Sequence, residues 1–143
     1  MASRNRIQGY ETPGQITSIG WFLYDEKNKM VCLHRRDPWG VSPNTWDHFG
    51  GGVKSQTGET AYEAFLRELC EELGITVDND KVKELCEYKN KKMYLVSFPI
   101  KRRKEIRLGE GAGFAYFSPD KALGLENLTL AARNGLKIII RRQ

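Results

Sequence analysis

From Gly50 to Ile75 the chain reads GGGVKSQTGETAYEAFLRELCEELGI, a glycine run that reads as a loop followed by a segment with the marks of one amphipathic helix. Thr60-Ala61-Tyr62-Glu63 has the spacing of a capping box, in which the threonine hydroxyl and the glutamate carboxylate each satisfy an orphan backbone N–H. Tyr62, Phe65, Leu66, Leu69 and Leu73 recur at helical spacing and define a buried stripe, and Gly74 stops the helix. On a helix from Thr60 to Leu73, Glu68, Glu71 and Glu72 stand at i, i+3 and i+4 and share a face away from that stripe. Each like-charged i,i+4 pair costs an isolated helix about 0.2–0.5 kcal/mol. A solvated acidic face is the plain reading, whereas a divalent cation among the carboxylates turns the repulsion into attraction. Hard oxygen ligands point to Mg²⁺, with Mn²⁺ as the alternative.

Glu59, seven intervening residues, then Arg67, Glu68, Leu69, Glu71, Glu72, Gly74 and Ile75 fall in register with the signature of the Nudix hydrolases, which this stretch resembles. One signature position departs. The family glycine would fall on Val53, whereas the nearest glycine is Gly52, so the loop Val53 to Gly58 reads as at least one residue longer, an insertion loops tolerate. The resemblance implies an α/β fold, an α/β/α sandwich with a mixed central sheet. It also implies hydrolysis of a nucleoside diphosphate linked to another moiety, such as a nucleoside triphosphate or nucleotide sugar. Water attacks a phosphorus of the diphosphate, and divalent metal neutralises phosphate oxygens and acidifies that water. By position, Glu68 and Glu72 are then the leading metal ligands, Glu71 shares the metal or accepts the water's proton, and a carbonyl of Gly51 or Gly52 completes a coordination shell. Glu59 acts through water, and Arg67 orients the carboxylates by salt bridges. The family's general base often lies on a later loop, and Glu110 in LGEGAGF is the candidate. Of the Arg35-Arg36 pair, one is expected to meet the substrate's phosphates with bidentate geometry.

The segment from Arg35 to Gly52 also looks like the subgroup containing isopentenyl diphosphate isomerases. That reading is disfavoured, because the isomerases place a cysteine where this chain has His48-Phe49-Gly50-Gly51. A module that binds a nucleotide without cleaving it is the other alternative, and the intact glutamates argue against it. Trp39, Trp46, Phe22, Tyr24 and Phe114 could include a stacking platform for a base, although aromatics so placed more often belong to a core.

Charge and length agree with this reading. The net charge of +5 favours an anionic substrate. The run Lys101-Arg102-Arg103-Lys104 lacks interleaved aromatics and reads as a solvated hairpin end, so nucleic acid is not the expected partner. The 143 residues read as one domain, with no apolar run long enough for a membrane span. MASRNRIQGY lacks a signal-peptide core. Cys32, Cys70 and Cys86 suit a reducing cytoplasm and read as small core residues. Oligomeric state is left open, a homodimer included.

Along the chain, Ile16–Tyr24 and Lys29–His34 read as a strand pair closed by Asp25-Glu26-Lys27-Asn28. Asp37–Thr45 reads as a loop, Lys83–Tyr88 and Met93–Pro99 as a second strand pair, and Gly113–Phe117 as a strand. Leu128–Arg142 reads as a helix with Leu128, Ala131, Ala132, Leu136 and Ile139 inward, interrupted by Gly135.

Overall fold

The computed structural model describes residues 15–143, so the reading of the first ten residues lies outside the described residues. Strands β1 (Ser18–Asp25) and β2 (Met30–Arg35) pair antiparallel next to their turn, from Leu23 with Cys32 to Asp25 with Met30. They then splay, and the chain from Trp46 to Gly52 fills the gap. Strand β3 (Trp46–Asp47) pairs with Arg35 and His34, and β4 (Phe49–Gly52) runs against β1 from Trp21 to Ser18. The glycine run, expected as loop, is therefore mostly strand, because the diverging β1 backbone needs a partner for its N–H and C=O groups. On the other side of β1 lies β6 (Lys91–Ser97), parallel to it, with β5 (Val82–Tyr88) antiparallel beyond. Strand β7 (Gly113–Phe117) adds antiparallel to the free side of β2.

The alternation of side chains along β1 sorts the core into two layers. Ile19, Trp21 and Leu23 pack with Phe65, Leu69 and Leu73 of helix α1 (Ala61–Leu73), while Phe22 and Tyr24 pack with Leu136 and Ile139 of helix α3 (Leu130–Arg142). The short helix α2 (Pro119–Leu123), not anticipated, adds Ala122 to the second layer. The result is the expected mixed sheet between helices.

Helix α1 starts with the anticipated capping box of Thr60 and Glu63 and ends at Gly74 in the left-handed region. Its buried stripe is Ala64, Phe65, Leu69 and Leu73; Leu66 is 36% exposed, because it falls on the flank of the stripe. Helix α3 starts at Leu130 rather than Leu128, with the Thr129 hydroxyl accepting from Ala132 N–H at 3.2 Å, since Leu128 instead bridges Trp46.

Gly135, the apparent defect in α3, is where the helix lies against Phe22. A Cβ there would stand 2.5 Å from Phe22 Cε2. Overpacking of this kind costs about 1–3 kcal/mol and outweighs the gain of about 1 kcal/mol in helix propensity over glycine. Gly135→Ala should therefore lower the midpoint of thermal unfolding; an unchanged or raised midpoint would show that the Phe22 ring yields freely.

Two surface readings need correction. The Lys101–Lys104 run lies in a 3₁₀ turn (Ile100–Glu105), not at a hairpin end; Arg102 forks Glu105 at 2.9 and 2.7 Å and lies over the Phe98 ring. Cys70 is exposed rather than core, on the outer side of α1, while Cys32 is buried and Cys86 half-buried. No helix among the described residues is long and apolar enough to cross a membrane.

Candidate active site

A cleft of about 550 Å³ opens at the end of the sheet where β1 begins and β2 leaves it. Glu72 enters it from α1, Gly50 and Gly51 from β4, Arg36 from the end of β2, and Glu110 and Gly111 from the loop before β7. The box acids are distributed around this opening unequally. Glu72 lines the cleft, Glu68 sits half-buried beneath Gly51, and Glu71 is exposed. A Cβ on Gly51 would collide with the Glu68 carboxylate, so a side chain there would push Glu68 from its place beneath β4.

Arg67 brackets the acids. Its Nε and Nη2 donate to the two oxygens of Glu59 at 2.8 and 3.1 Å, its Nη1 donates to Glu68 and Glu71 at 3.2 Å each, and Nη2 reaches the Gly52 carbonyl at 2.9 Å. Glu59 also accepts the Lys54 N–H at 2.8 Å. Both Glu59 oxygens are thus engaged, and its carboxyl is held down at about 2, first by the Arg67 hydrogen bonds and then by Lys54. Direct ligation by Glu59 would cost those bonds. Of the two glycines expected to offer a carbonyl, Gly51 lines the cleft beside Gly50, while the Gly52 carbonyl lies outside the lining and accepts from Arg67. The lengthened loop after them closes as an exposed 3₁₀ turn (Ser55–Thr57), directed to solvent.

Glu72 and Glu68 sit where charge is unwelcome. Burial, followed by the charges of Glu110 and Glu68, lifts the Glu72 carboxyl to about 7, and burial raises Glu68 as well. Crowded carboxylates of this kind are hard oxygen donors that a divalent cation would stabilise, so the residues fit the metal that the sequence implies. No three His, Cys, Asp or Glu side chains among the described residues are already gathered at ligand spacing. Arg67 holds Glu71 and Glu68 to one side instead.

The loop carrying Glu110 is clamped from four directions. Gly109 N–H donates to the Glu72 carbonyl at 2.6 Å, Ala112 N–H to the Arg35 carbonyl at 2.8 Å, and Gly111 N–H to Asp37 Oδ2 at 3.3 Å. His34 Nε2 donates to the Glu110 carbonyl at 3.0 Å, with its ring stacked on Phe49. Strand parity explains the fate of the arginine pair. His34 and Arg36 point to the α1 side and line the cleft, whereas Arg35 points to the α3 side and lies over Trp46 at 5.2 Å. Arg36 pairs with Asp47 at 3.2 Å. Of the aromatics, Phe22 and Tyr24 are core, Trp46 packs edge-on against Phe117, and Phe114 packs beside the α1 layer; Trp39, 73% exposed, lines the cleft. His34, Asp47, His48 and Lys91 were not singled out from the sequence, and parity with Arg36 along β2 was the available signal for His34.

A model of the NUDIX domain matches residues 14–139 of this chain. Among solved structures, the chain is similar to a MutT NUDIX hydrolase from Burkholderia pseudomallei (23% identity, 86% of this chain and 97% of that one, TM-score 0.67). It is also similar to the dihydroneopterin triphosphate pyrophosphohydrolase of E. coli (19% identity, 90% and 99%, TM-score 0.65). A third is the NUDIX domain of Shewanella oneidensis NrtR complexed with ADP-ribose (14% identity, 94% of each chain, TM-score 0.66). At these identities the likenesses speak for the fold. Among curated protein sequences, none matches this chain.

Proposed function

This chain belongs to the Nudix hydrolase family, and on that premise we propose that it hydrolyses a nucleoside diphosphate joined to another group, of the nucleoside triphosphate or nucleotide-sugar class. The observation that carries the reading is the meeting of Glu72, Glu110 and Arg36 in one cleft, with the remaining box acids bracketed behind it by Arg67. A bound Mg²⁺ or Mn²⁺ would neutralise diphosphate oxygens and acidify the attacking water. Glu72 and Glu68 would hold it, joined by Glu71 and by a carbonyl of Gly50 or Gly51. Arg67 would set the carboxylate orientations and Glu59 would anchor Arg67. Arg36, whose Nε and Nη1 are engaged and whose Nη2 has no partner among the described residues, would grip a phosphate, and Trp39 offers a face for a base. Glu110, facing Glu72 from a loop fixed by His34 and Asp37, would take the proton of the attacking water.

The isomerase alternative would need a thiol at the cleft, and no cysteine lines it among the described residues. The reduced thiols fit a cytoplasmic setting, and the substrate itself is a small nucleotide. The test is release of phosphate or pyrophosphate from a panel of nucleoside triphosphates, nucleotide sugars, ADP-ribose and dihydroneopterin triphosphate, with and without Mg²⁺ or Mn²⁺. Metal-dependent cleavage of one class supports the reading and identifies the substrate group. Silence across the panel, with dimethylallyl diphosphate formed from isopentenyl diphosphate, would replace it.

A further inference from the structure

Four residues of the cleft lining, Arg36, Asp47, His48 and Lys91, form a charged construction of their own. Arg36 pairs with Asp47, Asp47 lies 3.5 Å from Nε2 of His48, and Lys91 Nζ lies 3.0 Å from that same nitrogen. His48 is 5% exposed, and its Nδ1 stands 2.5 Å from the Phe49 carbonyl, which can only accept. Nδ1 therefore carries the proton, and Nε2 offers a lone pair that receives a hydrogen bond from the Lys91 ammonium. The neutral ring adds no charge.

This arrangement is built into the backbone. Gly20 of β1 leaves room for the imidazole, since a Cβ there would stand 2.6 Å from His48 Nδ1. Both oxygens of the Asp47 carboxylate are already engaged, by Arg36, by the Thr129 hydroxyl at 2.6 Å and by the His48 N–H at 2.8 Å. Among the described residues, Lys91 Nζ has no carboxylate within 4.0 Å, unlike Lys92, which pairs with Glu84 at 3.0 Å on the neighbouring position. Within this group of four, Arg36 and Asp47 offset each other and the histidine is neutral, so the Lys91 ammonium carries the one charge left without a paired carboxylate. Lys91 spends one of its three N–H groups on His48 and has two left for the cleft it lines.

We propose that Lys91, oriented by His48, is a specificity-determining residue that binds an anionic oxygen group of the substrate lying outside the scissile diphosphate. The inference rests on the hydrolase reading above and names the side of the substrate it leaves open. Such a group is the third phosphate of a nucleoside triphosphate, or a phosphate carried on a sugar; a nucleotide sugar without one leaves the ammonium unpaired. Partial burial lowers the pKa of Lys91, so an incoming anion relieves a charge that water serves poorly.

The test compares wild type with Lys91→Gln, which keeps an N–H for His48 and removes the charge, and with Lys91→Met. Binding is measured by calorimetric titration in EDTA, where metal-dependent turnover is silent, with ADP-ribose against ADP-ribose 2′-phosphate and with a nucleoside triphosphate as a separate arm. For one of the phosphorylated ligands, loss of the charge should weaken binding about tenfold or more and flatten its dependence on salt, while ADP-ribose binding stays within about twofold. Which arm responds tells the sugar phosphate from the terminal one. In the presence of Mg²⁺ the same selectivity should appear in KM with kcat retained. Equal weakening of all ligands, or none, overturns the proposal provided either variant melts near the wild-type temperature. Should wild type cleave no substrate, the hydrolase reading falls while the titrations in EDTA still decide the role of Lys91.

Discussion

Replacing Glu72 by glutamine should leave a protein that is all but inactive and, without metal, more stable than wild type at pH 8. The activity loss follows from removing a carboxylate that reaches into the cleft beside Glu110 and Gly51. Changing a residue that merely orients a metal ligand costs about 10–100-fold, so loss of a ligand itself should exceed about a hundredfold. The stability gain follows from linkage. The folded protein binds the Glu72 proton more tightly than the unfolded chain, with the carboxyl lifted from 4.5 to about 7 by burial and then by Glu110 and Glu68. Stability associated with this group is therefore fully present below pH 4.5 and is lost as pH rises through about 7. Glutamine carries no charge at any pH and escapes the loss. Thermal melts in EDTA should give equal midpoints for the two proteins near pH 4.5 and a higher midpoint for the variant at pH 8. Mg²⁺ should then stabilise wild type more than the variant. A variant that melts lower than wild type at pH 8 in EDTA would show that the folded protein does not raise the Glu72 carboxyl, and one that keeps near wild-type turnover would remove Glu72 from the metal assignment.

Much of this site was legible because its logic is local. The helix, its capping box and the register of Glu68, Glu71 and Glu72 depend on spacing within one turn or two, and the structure reproduces the cap and the helix end residue for residue. The Arg35-Arg36 ambiguity was resolvable only by strand parity, which needs the register of β2 against β3 and β7. The glycine run misled for a different reason. Glycines favour turns in isolation, yet here the splaying of β1 from β2 opens a slot that β4 fills, and a side chain at Gly51 would meet Glu68. Gly135 reads as a helix defect until Phe22, far away in sequence, is brought against it. His48 and Lys91 carried no local signal at all: 43 positions separate them, and they meet because β4 and β6 both flank β1.

Arg67→Lys tests the other half of the site, the bracket behind the cleft. A guanidinium presents five donors in a planar fork, and Arg67 uses that geometry on Glu59, Glu68, Glu71 and the Gly52 carbonyl together. An ammonium has three donors from one point and can satisfy only part of this set, so the change should be far from conservative. Because Arg67 is not among the residues lining the cleft, substrate contact should survive: the expected result is a fall in kcat of about 10–100-fold with KM little changed. Acid titration supplies a readout independent of turnover. The Arg67 hydrogen bonds hold the Glu59 carboxyl at about 2, below its usual 4.5, so the stability this pair contributes is present above pH 4.5 and lost as pH falls through about 2. Wild type should therefore melt above Arg67→Lys at neutral pH, and the two should converge on acidification across that window. A kcat within twofold of wild type would mean that the carboxylates hold their geometry without the bracket, and an increase in KM alone would move Arg67 from positioning the acids to touching the substrate.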